Sequence, residues 1–495
     1  MKILLLYPRC PDTFWSFRHA LKFIGKKASF PPLGLLTVAA LLPKEWEKKL
    51  IDMNVQRLED KDLRWADYLF ISAMIVQKES VREVIKKAKE IGVKIVAGGP
   101  LFTTGYEKFL DGIDHFILNE SEVTFPQFLK DLLAGTPQKV YKSNEFPEVT
   151  KSPLPLFELA DFKKYSSLSI QYSRGCPFNC EFCDIVIMNG RVPRTKDKEQ
   201  IIRELEKLYN LGWRGGIFFV DDNFIGNKEK IKKEILPALI KWMKKKRYPF
   251  SFITEASINL ADDEDLMNLM VEAGFNTVFV GIETPNDSSL TECGKFQNKN
   301  RNLITSVKTI QRHGLQVQGG FIVGFDSDTP SIFEKQIQFI QRSGIVTAMV
   351  GILTALPKTR LYQRLKSSNR LIQNPTGDNT DSSINFVTKM DQKTLLDGYK
   401  RIVGTIYSPK YYYERVKTFL KEYNYPQGIR RIKFDFSHLS AFFKSIWELG
   451  VLKKGRVYYW RTFFWCLFRR PQHFPLLISF SINGFHFRKV FNIGM

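Results

Sequence analysis

The sequence predicts an α/β protein in three parts: two regions of alternating strands and helices, then a mostly helical region. Three observations carry this prediction. Residues 1–135 alternate short apolar runs with amphipathic segments, and residues 166–385 repeat that alternation six times. Residues 386–495 lose the alternation and become basic and aromatic. A chain of 495 residues also has room for about three domains of ~100–200 residues.

The first region, residues 1–135, predicts a parallel, doubly wound sheet of the Rossmann type. Its apolar runs are continuous, as strands buried on both faces require. The predicted strands are Ile3–Tyr7, Tyr68–Ser72, Val93–Ala97 and Ile113–Ile117. The predicted helices are Leu33–Leu42, Glu79–Ile91 and Phe125–Leu133. Ligands of such sheets bind beyond the carboxyl ends of the strands, where Ser72 and the turn Gly98-Gly99 lie.

Residues 136–165 are dotted with prolines and predict a linker. The region after it, residues 166–385, predicts a partial (β/α)6 barrel of the TIM type. Its expected strands are Ser167–Tyr172, Gly216–Val220, Phe250–Glu255, Thr277–Ile282, Val317–Val323 and Val346–Leu353. Barrels of this type carry out their chemistry at the carboxyl ends of the strands.

Composition excludes several classes of protein. Six cysteines are too few for a disulfide framework, so we expect a reducing compartment. The apolar run Ile3–Tyr7 is typical of a strand and too short for a signal peptide. No window reaches the ~18 apolar residues of a membrane span. The sequence therefore predicts a cytoplasmic protein.

The formal net charge is +23, and the end of the chain carries most of it. Residues 401–495 contain 17 basic and 4 acidic residues, a net of +13, with 24 aromatic residues. Three interpretations of this tail stay open. It binds the inner face of a membrane peripherally, it binds single-stranded nucleic acid, or its aromatic residues pack on the barrel while its arginines reach solvent. Of the two external partners, the membrane is favoured over nucleic acid.

Three cysteines lie on one predicted loop, where Cys176, Cys180 and Cys183 form a C-x3-C-x2-C pattern. Three thiolates on a loop after a barrel strand can hold three irons of a [4Fe–4S] cluster and leave the fourth iron open. Zinc is the alternative, but it normally takes a fourth Cys or His ligand. No histidine lies within 60 residues of the loop on either side.

This loop resembles that of the radical S-adenosylmethionine superfamily. In that superfamily the open iron binds S-adenosylmethionine, and an electron from an external flavodoxin or ferredoxin cleaves it to a 5′-deoxyadenosyl radical. The motifs T-E-A-S, G-I-E-T and G-F-I-V-G follow at strand ends in the order that the resemblance requires. The residues implied to contact S-adenosylmethionine are Phe182, Asp222, Glu255, Ser257, Glu283, Gly320, Ile322 and Gly324.

The front region resembles the cobalamin-binding domain of the B12-dependent radical enzymes. The residues implied to contact cobalamin are Pro32, Ser72, Gly98, Gly99 and Pro100. Better-known cobalamin proteins carry a D-x-H-x-x-G motif whose histidine binds cobalt, and this sequence has no such motif. A degenerate domain without a cofactor remains the alternative. Methylthiotransferases are a poorer match, because they need three cysteines in the front domain.

The resemblance extends to the hopanoid C-2 methylase subfamily. It includes the segment from Tyr7-Pro8 to Pro31-Pro32, the run Gly377-Asp378-Asn379-Thr380-Asp381, and the tail with Gly484-Phe485-His486-Phe487. This implies a cobalamin-dependent radical methyltransferase that acts on an unactivated carbon of a hydrophobic substrate such as a lipid. Two alternatives stay open. One is a radical cyclase or carbon–carbon coupling enzyme, and the other is a nucleic-acid-binding protein with a structural cluster.

Overall fold

Six parallel strands form the sheet of the front region. The computed structural model describes residues 1–378, 380–424 and 436–493, without the side chains of residues 436–438, so Asn379 lies outside it. The strands run in the order β2-β1-β3-β4-β5-β6. They are β1 (Lys2–Tyr7), β2 (Glu47–Asp52), β3 (Tyr68–Ser72), β4 (Lys94–Gly98), β5 (His115–Ile117) and β6 (Val140–Tyr141).

Strand β1 shows why this sheet is covered on both faces. Ile3 and Leu5 belong to one hydrophobic core, Leu4 and Leu6 belong to another, and all four are fully buried. Successive side chains of a strand point to opposite faces, so a continuous apolar strand needs helices on both sides. Those helices are Arg18–Leu21, Leu33–Leu41, Asp60–Trp65, Lys78–Ile91, Pro100–Gly105 and Ser121–Leu133.

Two strands of this sheet were not expected from the sequence. Strand β2 has the sequence Glu-Lys-Lys-Leu-Ile-Asp. Its first half is charged because it lies at the edge of the sheet, so the apolar pattern that identifies a buried strand is missing there. Strand β6 has two residues and lies within residues 136–165, the segment predicted as a linker. That segment thus supplies the other edge of the front sheet through Val140 and Tyr141.

The second sheet is an open, partial barrel of six parallel strands. Its order is β14-β13-β12-β11-β10-β7, so β7 and β14 are its edges within the described chain. An antiparallel pair, β8 with β9, lies outside it. The strands are β7 (Ser167–Ile170), β8 (Ser173–Arg174), β9 (Arg194–Thr195), β10 (Gly216–Phe219), β11 (Ser251–Glu255), β12 (Phe275–Glu283), β13 (Gln316–Val323) and β14 (Ala348–Ile352).

Helices separate the barrel strands and cover the outside of the sheet, as a parallel arrangement requires. They are Ile185–Asn189, Lys198–Asn210, Lys228–Lys230, Leu236–Lys245, Glu264–Ala273, Asp287–Glu292, Leu303–Arg312, Ser331–Ser343 and Arg360–Ser367. The predicted partial barrel and the predicted parallel front sheet are therefore both confirmed. The strands found by periodicity differ from the observed ones by only a few residues at either end.

The tail is helical throughout its described part. Its helices are Gln392–Ile406, Pro409–Glu422, Phe436–Ser445, Arg456–Arg469 and Phe474–Val490, with a wider π-type turn at Ile446–Leu452. Across the described residues, no helix combines the length and the apolar character needed to cross a bilayer.

The last helix of the tail packs against the beginning of the chain. The ring of Phe487 stacks on Phe14 with centroids 4.3 Å apart, and a His486 ring nitrogen lies 2.9 Å from the Phe14 carbonyl oxygen. A Cβ on Gly484 would come within 2.4 Å of the Tyr412 ring. This glycine allows the last helix to pack closely against the helix Pro409–Glu422.

A buried network of ion pairs joins the front region to the barrel. Arg174 binds Glu120 at 2.6 Å and Glu122 at 2.7 Å, and Arg194 binds Glu120 at 2.6 Å. Burial disfavours the Glu122 carboxylate, but Arg174 outweighs burial and lowers the pKa of Glu122 to about 2. The two arginines lie in the antiparallel pair β8 and β9 beside the barrel, and the two acids follow β5, so the network fixes the position of one domain on the other.

Replacing Arg174 with Met should destabilise the fold, because removing one partner of a buried ion pair costs about 3–5 kcal/mol. The ionised Glu122 carboxylate stabilises the folded state. This stabilisation is complete above the ordinary glutamate pKa of 4.5 and is lost as the pH falls toward 2. The difference in Tm between wild type and Arg174→Met should therefore be large at pH 7 and shrink at pH 3.

Arg82→Met is the matched control, since Arg82 pairs with Glu79 in solvent, and such pairs contribute under about 1 kcal/mol. Equal losses of Tm for the two variants at pH 7 would contradict a structural role for the buried network.

Candidate active site

A cavity of about 740 Å³ lies at the carboxyl ends of the barrel strands. Because side chains of a strand alternate between its faces, every second residue of these strands reaches this space. Glycine is needed at one of these positions, because a Cβ on Gly320 would come within 2.9 Å of the Phe279 ring. The strand residues that line the cavity include Ile253, Glu255, Phe279, Gly281, Glu283, Gln318, Gly320, Ile322, Met349 and Gly351.

The cysteine loop forms one wall of this cavity through Phe182, Cys183 and Asp184. It follows β8 at a sharp turn, where Gly175 has a φ of +97°. A Cβ on Gly175 would lie 2.8 Å from the Val192 carbonyl oxygen. The residue before the first cysteine therefore has to be glycine for the loop to close.

Backbone hydrogen bonds hold the rest of the loop. The Cys176 N–H donates to the Gly190 carbonyl at 3.2 Å, and the Glu181 N–H donates to the Cys293 carbonyl at 2.8 Å. The Glu181 side chain accepts from the Arg364 guanidinium at 2.7 and 3.0 Å. The three cysteines thus lie on a backbone that is fixed from two sides.

The three thiols of the cysteine loop are available as metal ligands. In the part of the chain that the structure describes, no three His, Cys, Asp or Glu side chains converge on one metal position. A zinc ion would hold each thiolate at about 2.3 Å from one point, whereas a four-iron cluster takes one iron per cysteine. Cys176, Cys180 and Cys183 are all unpaired and partly exposed, as such a cluster requires.

A positive charge lies beside the cysteine loop, where Lys295 forms a buried ion pair with Glu283 at 2.5 Å. Burial disfavours the Lys295 ammonium, but Glu283 and then Cys180 outweigh it and raise the pKa of Lys295 above its usual range. The Nε2 of Gln297 lies 3.9 Å from the Cys180 sulfur. Lys295 and Gln297 can therefore offset the negative charge of thiolate-bound iron.

Glu255 is a carboxyl group in the cavity wall, and no cation of the described chain forms an ion pair with it. Burial, followed by the nearby Asp222 and Asp221, raises the pKa of Glu255 to about 8. A ligand that brings a positive group or a hydrogen-bond donor would stabilise its ionised form. An amino acid ammonium or a ribose hydroxyl has that chemistry, which matches the predicted contact with S-adenosylmethionine.

Five of the eight residues predicted to contact S-adenosylmethionine line this cavity with Cys183. They are Phe182, Glu255, Glu283, Gly320 and Ile322.

The other three, Asp222, Ser257 and Gly324, are not among the lining residues. Asp222 accepts the Gly175 N–H at 2.6 Å, and Ser257 donates to Asn259 at 2.5 Å. Both therefore brace strand ends in this structure, and their contact with the cofactor stays a prediction.

Sequence reasoning missed the residues that enter the cavity from outside the barrel. Trp15 and Phe17 come from the front region, and Ser479, Ile482 and Asn483 come from the last helix. The Trp15 indole N–H lies 3.1 Å from the Met349 sulfur of β14. No local pattern predicts these contacts, because they join residues hundreds of positions apart.

A second cavity of about 320 Å³ lies between the front sheet and the barrel. The carboxyl ends of both sheets meet there. Ser72, Gly98, Gly99 and Pro100 line it from the front sheet and its following turn, while Gln171, Arg174 and Val220 line it from the barrel side. Pro32, the fifth residue predicted to contact cobalamin, is not in the lining and instead precedes the helix Leu33–Leu41.

Close packing requires both glycines of the Gly98-Gly99 turn. A Cβ on Gly98 would lie 2.8 Å from the Ile117 carbonyl oxygen, and one on Gly99 would lie 2.6 Å from the Ser72 hydroxyl. Gly34 differs, because a Cβ there would meet no atom within 4 Å and would extend into open space. No histidine is among the described residues that line this groove. A groove beside a parallel sheet, free of side chains at Gly34, fits the nucleotide tail of cobalamin.

The three regions match three known sequence families. Residues 27–129 match the B12 binding domain, residues 170–340 match the radical SAM superfamily, and residues 359–494 match a domain of unknown function, DUF4070. The first two matches confirm the predicted cofactors: cobalamin, S-adenosylmethionine and a [4Fe–4S] cluster.

Two relatives match nearly the whole chain. An uncharacterised methyltransferase of Synechocystis sp. is 41% identical over 98% of this chain and 91% of the relative. The hopanoid C-2 methylase of Rhodopseudomonas palustris is 33% identical over 93% of this chain and 88% of the relative. The chain belongs to the family of cobalamin-dependent radical SAM methyltransferases that includes hopanoid C-2 methylase. The predicted enzyme class is thereby confirmed.

Solved structures share the fold of this methyltransferase. The cobalamin-dependent S-adenosylmethionine radical enzyme OxsB covers 99% of this chain and 79% of its own, with a TM-score of 0.64 and 16% identity. The radical S-adenosylmethionine methyltransferase TsrM from Kitasatospora setae covers 76% of this chain and 77% of its own, with a TM-score of 0.59 and 14% identity.

A side chain at Gly34 should block the groove of the methyltransferase without unfolding it. Gly34→Leu puts a helix-favouring residue into a helix but fills the open space, so we expect hydroxocobalamin binding to weaken by at least about tenfold. Gly404→Leu is the matched control, because Gly404 is also helical and also open, but lines neither cavity.

The measurement is a spectrophotometric titration of the reconstituted protein with hydroxocobalamin. Equal affinity of Gly34→Leu and Gly404→Leu, with unchanged Tm for both, would show that this groove does not hold cobalamin.

Proposed function

We propose that this enzyme methylates an unactivated carbon of a hydrophobic, lipid-like substrate. The observation that carries the proposal is the apolar character of the larger cavity beside the cysteine loop. Aromatic, aliphatic and sulfur-containing side chains together make up more than half of its lining. They include Trp15, Phe17, Phe30, Phe218, Phe279 and Met349.

The polar groups of this cavity suit radical chemistry better than acid–base catalysis. An unactivated C–H bond offers no proton that a base could remove, and no histidine is among the described lining residues. When bound, the cofactors supply the hydrogen-abstracting radical and the methyl group. The protein's part is to position the substrate and to exclude water, which an apolar wall achieves.

The relative at 33% identity supports the lipid class, since its name gives a hopanoid as what it methylates. A rigid, polycyclic hydrocarbon would be held by aromatic contacts on several sides rather than by hydrogen bonds. The phenylalanines of β10 and β12 and the front-region Trp15 can supply such contacts.

An exposed aromatic face on the tail supports a membrane as the source of this substrate. Trp447 is 60% exposed and Phe468 is 77% exposed. Residues 436–493 contain nine basic residues against one acidic residue, Glu448. Apolar side chains among cations are typical of helices that lie in an anionic bilayer surface. We call this surface the aromatic face, and its exposed residues are Leu439, Phe443, Trp447, Val457, Phe464 and Phe468.

The helix Arg456–Arg469 also packs against other tail helices, whereas the alternative interpretation of the sequence expected packing on the barrel. Its Tyr459 ring contacts Tyr413, and its Phe463 ring contacts Phe442 and Phe474. Tyr459, Phe463 and Cys466 of the helix Arg456–Arg469 are buried. The same helix thus uses one side for the fold and exposes the other.

The last helix packs against the helix that carries part of the aromatic face and also reaches the cavity. Phe474 at its start contacts Phe463, on the buried side of the helix Arg456–Arg469, at 4.8 Å between ring centroids. Further along, Ser479 and Ile482 line the larger cavity. A lipid that enters from the bilayer at this helix would reach the cysteine loop along one element.

The test is transfer of label from methyl-labelled S-adenosylmethionine to a total lipid extract, with dithionite as reductant. We expect labelled lipid together with 5′-deoxyadenosine. Cys180→Ala should lose both, because it removes one of three cluster ligands, whereas Cys10→Ala should keep both.

Formation of 5′-deoxyadenosine without labelled lipid would point instead to cyclisation or carbon–carbon coupling. Production of 5′-deoxyadenosine by Cys180→Ala would contradict the radical mechanism itself.

Negative charges introduced into the aromatic face should weaken binding of the protein to membranes. We expect wild type to float with vesicles of phosphatidylcholine and anionic phosphatidylglycerol, and Trp447→Glu with Phe468→Glu to lower the bound fraction at least about fivefold. The reason is the high cost of placing a carboxylate among acyl chains. Leu133→Glu, at a site 64% exposed in the front region, is the matched control. Unchanged flotation of the double variant, or binding of single-stranded nucleic acid in its place, would contradict the membrane proposal.

A further inference from the structure

The outer side of the cysteine loop carries two arginines that no acid neutralises. Arg191 lies 3.5 Å from the Pro177 carbonyl oxygen, and Arg360 donates to the Asn179 carbonyl oxygen at 2.6 Å. Both guanidinium groups are exposed. Among the described residues, no carboxylate lies within 4.0 Å of either one, whereas the nearby Arg364 pairs with three acids. The loop is therefore flanked by free positive charge.

Apolar side chains are exposed at the same place. Val192 is 74% exposed and follows Arg191 directly, and Phe296 is 65% exposed. Phe296 lies on the Arg360 side, because a Cβ on Gly294 would lie 3.3 Å from Arg360, 3.4 Å from the Asn179 carbonyl oxygen and 4.0 Å from the Phe296 ring. Exposed apolar residues between cations are the composition of a protein interface with a charged rim.

This surface is the side of the loop from which an electron has to arrive. The opposite side, with Phe182 and Cys183, faces the substrate cavity, and an electron donor protein cannot enter a cavity of about 740 Å³. Electron-transfer partners bind through small interfaces, below about 1,200 Å², and opposite charges guide their encounter. The loop's outer side combines exposed arginines with exposed apolar residues, which matches such a partner.

We propose that Arg191, Val192, Phe296 and Arg360 form the docking surface for an acidic electron-transfer protein of the flavodoxin class. The inference rests on the proposed radical function. One electron leaves the flavin hydroquinone of the donor, which becomes the semiquinone, and the oxidised cluster accepts it. Arg191 and Arg360 attract the acidic surface of the donor, and Val192 and Phe296 exclude water from the contact.

The experiment compares a protein reductant with a small chemical one on the reconstituted holoenzyme. Val192→Glu and Phe296→Glu place acids in the surface without removing a hydrogen bond to the loop. With reduced flavodoxin at low ionic strength, we expect the rate of cluster reduction to fall at least about tenfold, within the range of electrostatic steering. The measurement is stopped-flow absorbance of the cluster. The Kd for oxidised flavodoxin should rise by a similar factor.

Three controls separate a docking role of these residues from a structural role. Reduction by dithionite should stay within about twofold of wild type in both variants, because dithionite needs no docking surface. Leu133→Glu, equally exposed but in the front region, should be reduced by flavodoxin at the wild-type rate. Arg360→Lys, which keeps the charge, should lose much less than Arg360→Glu.

Several outcomes would overturn the inference. Flavodoxin reduction at the wild-type rate in both acidic variants would show that the donor binds elsewhere. Equal slowing with flavodoxin and dithionite would show that these residues only support the loop. A wild-type dimer that Phe296→Glu converts to a monomer would assign the surface to a second copy of this chain. Failure of dithionite to reduce the wild-type cluster would instead contradict the proposed radical function.

Discussion

The carboxyl ends of two parallel sheets face a common space, and the rest of this molecule depends on that constraint. In a parallel sheet all strands end at the same edge, so polar turns and open backbone groups collect there. Ser72 and the Gly98-Gly99 turn occupy that edge in the front sheet, while Gln171 and Val220 occupy it in the barrel. Bringing the two edges together creates the groove between the sheets, and the apolar cavity lies against the inner face of the barrel strands.

The charged side chains near these strand ends are buried, and most of them form ion pairs. The Lys295–Glu283 pair and the Arg174, Glu120 and Glu122 network are both buried. Buried charges interact strongly because little solvent screens them, and each needs a partner to offset its desolvation. Among the described residues, no cation forms an ion pair with Glu255, and burial followed by Asp222 and Asp221 raises the pKa of its carboxyl to about 8. The apolar walls therefore protect the radical step and also set the electrostatics of its surroundings.

Much of the fold followed from the sequence because its signals are local. Strand β3, for example, was predicted over Tyr68–Ser72, the range observed, since continuous apolar runs bounded by turns identify buried parallel strands. Strand β2 was not predicted, because an edge strand can carry charges on its exposed residues. The cysteine loop and the glycine-rich strand β13 were likewise visible from their spacing.

The remaining part of the site depends on contacts that spacing does not encode. Asp222 was placed at the cofactor because it follows a strand, but in the structure it holds the Gly175 N–H. Lys295 follows no strand end and shows no motif, although its ion pair lies beside the loop. Trp15 and Ile482 reach the cavity from opposite ends of the chain, and only the packing of the whole molecule brings them there.

The contact between His486 and Phe14 spans 472 positions of sequence. A ribosome that adds about 5–20 residues per second needs tens of seconds to complete that interval. The front region and the barrel are complete once the strand Ala348–Ile352 has been added, yet the cavity still lacks the wall that Ser479, Ile482 and Asn483 provide. The cavity therefore takes its final shape only when the last helix has been synthesised.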